Sequence, residues 1–284
     1  MTAAKFLPFG LALIMLGLGL TLTIEDFRRI LRFPKPVLVG LFAQMFVLPA
    51  AAFGLCYLFG LSTEHSVGLM ILAASPGGVL ANLFSHLGHG DLALNVTLTA
   101  INSVLAAVTL PLMVAFALAH FEHSDQDIGL QYRKAIEVFT IVLVPVMIGM
   151  AVRRRNPALA IKADRPIRIF SVAVLFLIIV AAITQEWQRL LDCFSQLGGA
   201  MLAFNLLSLG VGYTIPRWLK LPKNQSVAIA MEIGLHNATL ALYIGLSVLG
   251  NAAYALPSAI YSIVMFFTAA AFTALTGKSR EVPV

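Results

Sequence analysis

Charge is scarce in this chain. Only 11% of its 284 residues are Asp, Glu, Lys or Arg, against about 25% in a soluble domain. That shortage excludes a disordered chain and a cytosolic enzyme. Cysteine is almost absent: Cys56 and Cys193 sit far apart in unrelated segments, which offers neither a disulfide framework nor a metal-binding spacing. What is present is apolar. Hydrophobic residues make up 60% and the mean hydropathy is +0.91, so the chain reads as an all-α polytopic membrane protein. At about 20 residues per spanning helix, its length is used up by membrane segments and leaves no room for a soluble catalytic domain.

Long apolar runs give nine expected transmembrane helices, near residues 4–22, 37–60, 65–86, 92–119, 131–151, 167–185, 197–216, 224–249 and 254–276. The first carries only Lys5 ahead of it and lacks a small-residue cleavage site, so it reads as a spanning helix and not as a signal peptide. With the N-terminus outside, every Lys and Arg except Lys5, Arg133, Lys134 and Arg189 falls in an inner loop or at the C-terminus. Positive residues collect on the cytoplasmic side, so the expected topology is N-out and C-in, in the plasma (cell inner) membrane. The basic excess is then topology and not a nucleic-acid surface. Trp187 and Trp218 fall at helix ends as interfacial anchors.

Two segments are interrupted at mid-membrane. The third reads VGLMILAASPGGVLANLFSHL, with Pro76, Gly77 and Gly78 at its centre. Proline removes a backbone donor and glycine weakens a helix. The eighth reads SVAIAMEIGLHNATLALYIGL, with Glu232, Gly234, His236 and Asn237 at its centre and no proline. In the charge-derived topology the second to fourth helices start inside and the seventh to ninth start outside. The two interrupted helices therefore hold matching places in oppositely oriented triplets, the pattern of an inverted-repeat secondary transporter. Half-helices starting near Val79 and Ala238 would aim free N–H groups at the midplane, where an anion is held. An anion there would meet Gly78, Val79, Asn237 and Ala238.

Glu232 is the acidic residue that falls deep within an apolar segment. Burying a lone carboxylate costs several kcal/mol, so it is protonated, faces an aqueous cavity or faces a cation. A proton, a metal ion and sodium all remain open at this point. Oxygen donors near the breaks are Asn82, Asn95, Thr99 and Gln44, a set that suits a hard cation. Asn102, Asn205 and Ser208 are also intramembrane and read as packing residues that hydrogen-bond between helices. His236 lies one turn after Glu232, on the same face if the helix persists, where the two would relay protons. Neither a nucleophile nor a third metal ligand accompanies them, which argues against an enzyme.

FGLALIMLGLGLTLTIEDF (9–27), GLFAQMFVLPA (40–50), ASPGGVLANLFSHLGHGDLALNVTLTAINS (74–103) and MEIGLHNATLA (231–241) resemble the bile acid:sodium symporter family, whose members include ileal and hepatic bile acid transporters and bacterial relatives. The resemblance implies one transmembrane domain over 1–284. Panel helices would lie near 4–22, 131–151 and 167–185, and core helices over 37–119 and 197–276, with the broken helices crossing. It implies a nine-helix member that lacks the family's first helix. It implies a first sodium site at Ala81, Asn82, Asn95, Thr99 and Glu232, where Ala81 supplies no side-chain oxygen. A second would use Gln44, Glu232, carbonyls near Ile233 and Leu235, and His236, a poor sodium ligand. The substrate anion would sit near Asn237 and Val79.

The expected function is sodium-coupled symport of a small organic anion by alternating access, with one or two sodium ions and no nucleic acid among its partners. The sequence names no protein partner. The competing expectation is proton coupling through Glu232 and His236.

Overall fold

A computed structural model of the chain describes residues 7–23, 25, 28, 31–32, 34–122, 128–163, 166–167, 170 and 187–277. The expected sixth segment, 167–185, lies almost wholly outside the described residues.

The described chain is helical, as a backbone in lipid must be when no water satisfies its polar groups. The helices are α1 (Leu7–Thr21), α2 (Pro34–Leu58), α3 (Thr63–Ala74), α4 (Val79–Leu87), α5 (Leu92–Glu122), α6 (Ile128–Arg155), α7 (Trp187–Trp218), α8 (Lys223–Gly234), α9 (Ala238–Tyr243) and α10 (Ala252–Gly277). Within α2 the residues Ala43–Val47 form a π-helical turn, which places Gln44 in a local widening. Further π turns end α5, at Leu118–Glu122, and prolong α9, at Ile244–Val248. Pro34–Leu58, Leu92–Glu122, Phe194–Trp218 and Ala252–Thr276 are the described helices long and apolar enough to cross a membrane unbroken.

The half-helices α3 and α8 form the centre. Every residue from Ser66 to Ala73 and from Ser226 to Gly234 is buried, Glu232 among them. Helix α3 packs against α2, α5 and α10, whereas α8 packs against α7, α4 and α5. Each therefore touches helices from both halves of the chain.

The expected helix 4–22 is described as α1, and its main neighbour is α6. The two approach through glycine. A Cβ on Gly149 would meet the Leu16 carbonyl oxygen and the backbone of Gly19 and Leu20, so small residues set this spacing, as is common between membrane helices.

Candidate cation and anion site at two helix breaks

Helix α3 ends because Pro76 cannot continue it and Ser75 turns extended (φ −72°, ψ 142°). Helix α8 ends at Gly234, with Leu235 already out of helical geometry (φ −112°, ψ 76°). The two extended linkers meet as an isolated antiparallel bridge between Gly77 and His236. Gly78 N–H donates to the Leu235 carbonyl at 2.9 Å, and Asn237 N–H donates to the Pro76 carbonyl at 2.8 Å. The backbone that each break releases is thus partly satisfied by the other break, and α4 and α9 restart at Val79 and Ala238.

Side chains take up the remaining carbonyls. Gln44 Nε2 donates to Ala73 O at 3.1 Å and to Ser75 O at 3.0 Å. On the other break, Asn205 Nδ2 and the Tyr261 hydroxyl donate to Gly234 O at 2.9 and 2.7 Å. Ser75 O also receives His236 Nδ1, at 3.1 Å. A carbonyl cannot donate, so Nδ1 carries the proton. The imidazole lies nearly parallel to Phe204, with ring centroids 5.4 Å apart and an 8° interplanar angle, and Tyr261 is 5.5 Å away. Since α8 ends between Glu232 and His236, the shared helical face on which an acid–histidine pair depended does not form.

Glu232 is fully buried at the last turn of α8. Thr99 Oγ1 donates to Oε2 at 2.5 Å, and Asn102 Nδ2 donates to Oε1 at 3.1 Å. A Cβ on Gly77 would fall onto the carboxylate, so glycine lets Glu232 keep this place. Asn102 makes the interhelical hydrogen bond expected of it, and its partner is Glu232 itself. The signal was present in the sequence, since Asn95, Thr99 and Asn102 are spaced four and three residues apart and so share one face of α5.

Three asparagines on α4 and α5, the helices packed against α8, carry amide oxygens with no partner. Asn82 Oδ1, Asn95 Oδ1 and Asn102 Oδ1 are buried without a hydrogen bond, although Asn95 Nδ2 is anchored on Ala228 O at 2.7 Å. An unsatisfied buried acceptor costs about 1–3 kcal/mol, a cost that a bound cation would remove. All are hard oxygens, which suit sodium. Ala81 is buried and adds none. Gln44 Oε1 and His236 Nε2 are orphaned in the same way. The Ser75 and Leu235 carbonyls are already engaged by donors, and Ile233 is fully buried.

The anion side is less even. Gly78 caps α4 without a side chain, whereas Asn237 Oδ1 accepts from Leu240 N–H at 3.1 Å and caps α9. The half-buried Asn237 keeps its amide NH2 as a donor. The Val79 side chain lies outside what the structure describes.

The profile of the sodium bile acid symporter family matches residues 8–192. The chain belongs to the sodium bile acid symporter family. It is 29% identical over 261 residues to an uncharacterized sodium-dependent transporter, YocS, of Bacillus subtilis, covering 92% of this chain and 79% of that protein. It is 28% identical over 254 residues to a probable chloroplastic sodium/metabolite cotransporter of Arabidopsis thaliana, covering 89% and 62%. Over 147 residues it is 34% identical to the hepatic sodium/bile acid cotransporter of Rattus norvegicus, covering 52% and 41%. The family is one of sodium-coupled membrane transporters and not of enzymes.

Proposed function

We propose that the chain is a sodium-coupled symporter of a small organic anion. The observation that carries this reading is Glu232, a fully buried carboxylate at the crossing of two broken helices, held by Thr99 and by Asn102, whose amide oxygen has no partner. Sodium binds between Glu232, Asn82, Asn95 and Thr99, with Gln44 beside them. The anion binds across the crossing, at Gly78, the start of α4 at Val79, the Asn237 amide and Ala238. Sodium neutralises Glu232 and draws the released oxygens of both breaks inward. The crossing that accepts the anion is therefore favoured when the cation is bound, a coupling between two sites.

The architecture that fits this work is nine spanning helices in an inverted repeat, with a panel containing α1 and α6 rocking on a core built of α2 to α5 and α7 to α10. The membrane is the plasma membrane, with the N-terminus outside and the C-terminus cytoplasmic. At the second family site His236 stands where a better sodium ligand is expected, and its Nδ1–H is spent on the carbonyl of Ser75. The first site takes one sodium ion, and His236 weakens the case for a second.

The test is isotopic sodium uptake into potassium-loaded proteoliposomes, with bile acids, small keto acids and hydroxy acids added in turn. Anion-stimulated sodium entry that Glu232→Gln abolishes is expected. Anion uptake that follows the pH gradient and ignores sodium would replace this reading with proton coupling.

A further inference from the structure

A cleft lies between α2 and α5 at the first break, lined by Gln44, Met45, Pro49, Pro76, Asn102 and Met113 among others. Two of these residues hold an orphaned amide oxygen. Asn102 and Gln44 are 2% and 4% exposed, and Asn102 Oδ1 and Gln44 Oε1 are both buried without a partner. Each amide is oriented by its other end: the NH2 of Asn102 is spent on Glu232 Oε1, and that of Gln44 on Ala73 O and Ser75 O. Both carbonyl oxygens are thus fixed by bonds made elsewhere while lacking a donor of their own. Apolar residues such as Met45 and Met113 supply none.

We infer that Asn102 is a cation ligand of this chain, and that its oxygen and that of Gln44 carry the cation between the α2–α5 cleft and Glu232. The inference rests on the sodium reading of Glu232 and adds to it a residue and a route. Asn102 restores an oxygen to a site in which Ala81 contributes none. It also acts in two directions, since its NH2 holds Glu232 in place while its carbonyl faces the incoming ion. A residue that only oriented the carboxylate would need the donor and not the oxygen. Asn102→Asp keeps an oxygen and loses the donor, so it should weaken sodium binding as much as Asn102→Leu if orientation were its whole role, and less if its oxygen is a ligand.

The experiment is a sodium titration of thermal stability on the purified full chain, with calcium as a second cation, for the wild type, Asn102→Leu, Asn102→Asp and Gln44→Met. Asn102→Leu and Gln44→Met are expected to raise the half-saturating sodium concentration about tenfold each, the effect of losing one good ligand. Asn102→Asp places a second carboxylate in an oxygen site and is expected to create a calcium-dependent rise in melting temperature that the wild type lacks. Half-saturation within twofold of wild type in both Asn102→Leu and Gln44→Met, with no calcium response in Asn102→Asp, would overturn the inference while leaving the Glu232 reading intact. A wild type indifferent to sodium would overturn both. Gln44→Met, on a different helix, keeps the question decidable if the Asn102 variants do not fold.

Discussion

The two helix breaks solve one problem with different materials. At the first, Pro76, Gly77 and Gly78 end α3 by backbone chemistry alone, and the half-helix that follows has no side-chain cap. At the second, Leu235, His236 and Asn237 do the same with side chains: Asn237 caps α9, and His236 reaches across to Ser75 O. The support behind them is matched. Gln44 on α2 satisfies the end of α3, as Asn205 on α7 satisfies the end of α8. The backbone-built break leaves room for the Glu232 carboxylate against Gly77, and the side-chain-built break delivers that carboxylate. The asymmetry therefore separates a receiving surface from a charged one.

The sharpest way to break the comparison is the alanine swap at the two helix ends. Gly77→Ala drives a Cβ into the Glu232 carboxylate and displaces it from Thr99 and Asn102, while Gly234→Ala crowds the apolar side chain of Leu209 and breaks no polar contact there. Gly77→Ala is expected to cost about 3 kcal/mol and to abolish sodium-dependent stabilisation, with a clearly smaller loss for Gly234→Ala, both read as melting temperatures. Equal losses would deny that the breaks differ.

Next in size is Asn205→Leu, which leaves Tyr261 as the side-chain donor to the Gly234 carbonyl. A loss of about 1–3 kcal/mol is expected, and Gln44→Met measured without sodium should match it if the two amides are counterparts. Smaller still is the pair of caps. Asn237→Ala removes the α9 cap and should cost about 1 kcal/mol. Gly78→Ala should change stability by no more than about 0.5 kcal/mol, because the added Cβ meets the second linker no closer than 3.7 Å. Least visible in stability is His236→Gln, whose effect belongs in transport: an amide oxygen returns where the ring stood, and the Hill coefficient for sodium should rise from about one toward about two.

Much of this was legible in the sequence, for physical reasons. The Pro-Gly-Gly run announces its own break, and a carboxylate in an apolar run announces its cost. The second break was readable from Gly234 and the polar residues about it, without proline. Asn102 was harder, because an intramembrane asparagine is usually an interhelical hydrogen bond. Its distinction lies in pointing at Glu232, 130 residues away. The places of Phe204 and Tyr261 beside His236 were not legible, since aromatic residues on apolar helices look alike until the fold pairs them. Nor was the loss of the Glu232–His236 face, which depends on α8 stopping at Gly234.

The most direct test of the central claim is the thermal stability of the detergent-purified protein in sodium chloride against potassium and choline chlorides at matched ionic strength, with Glu232→Gln alongside. A ligand that binds only the native state stabilises it by about 2.7 kcal/mol at a hundred times its Kd. A sodium-specific, concentration-dependent rise in melting temperature that vanishes in Glu232→Gln is the expected result. Equal stability in all three salts, with a pH dependence that Glu232→Gln removes, would contradict the sodium site and assign Glu232 to protons.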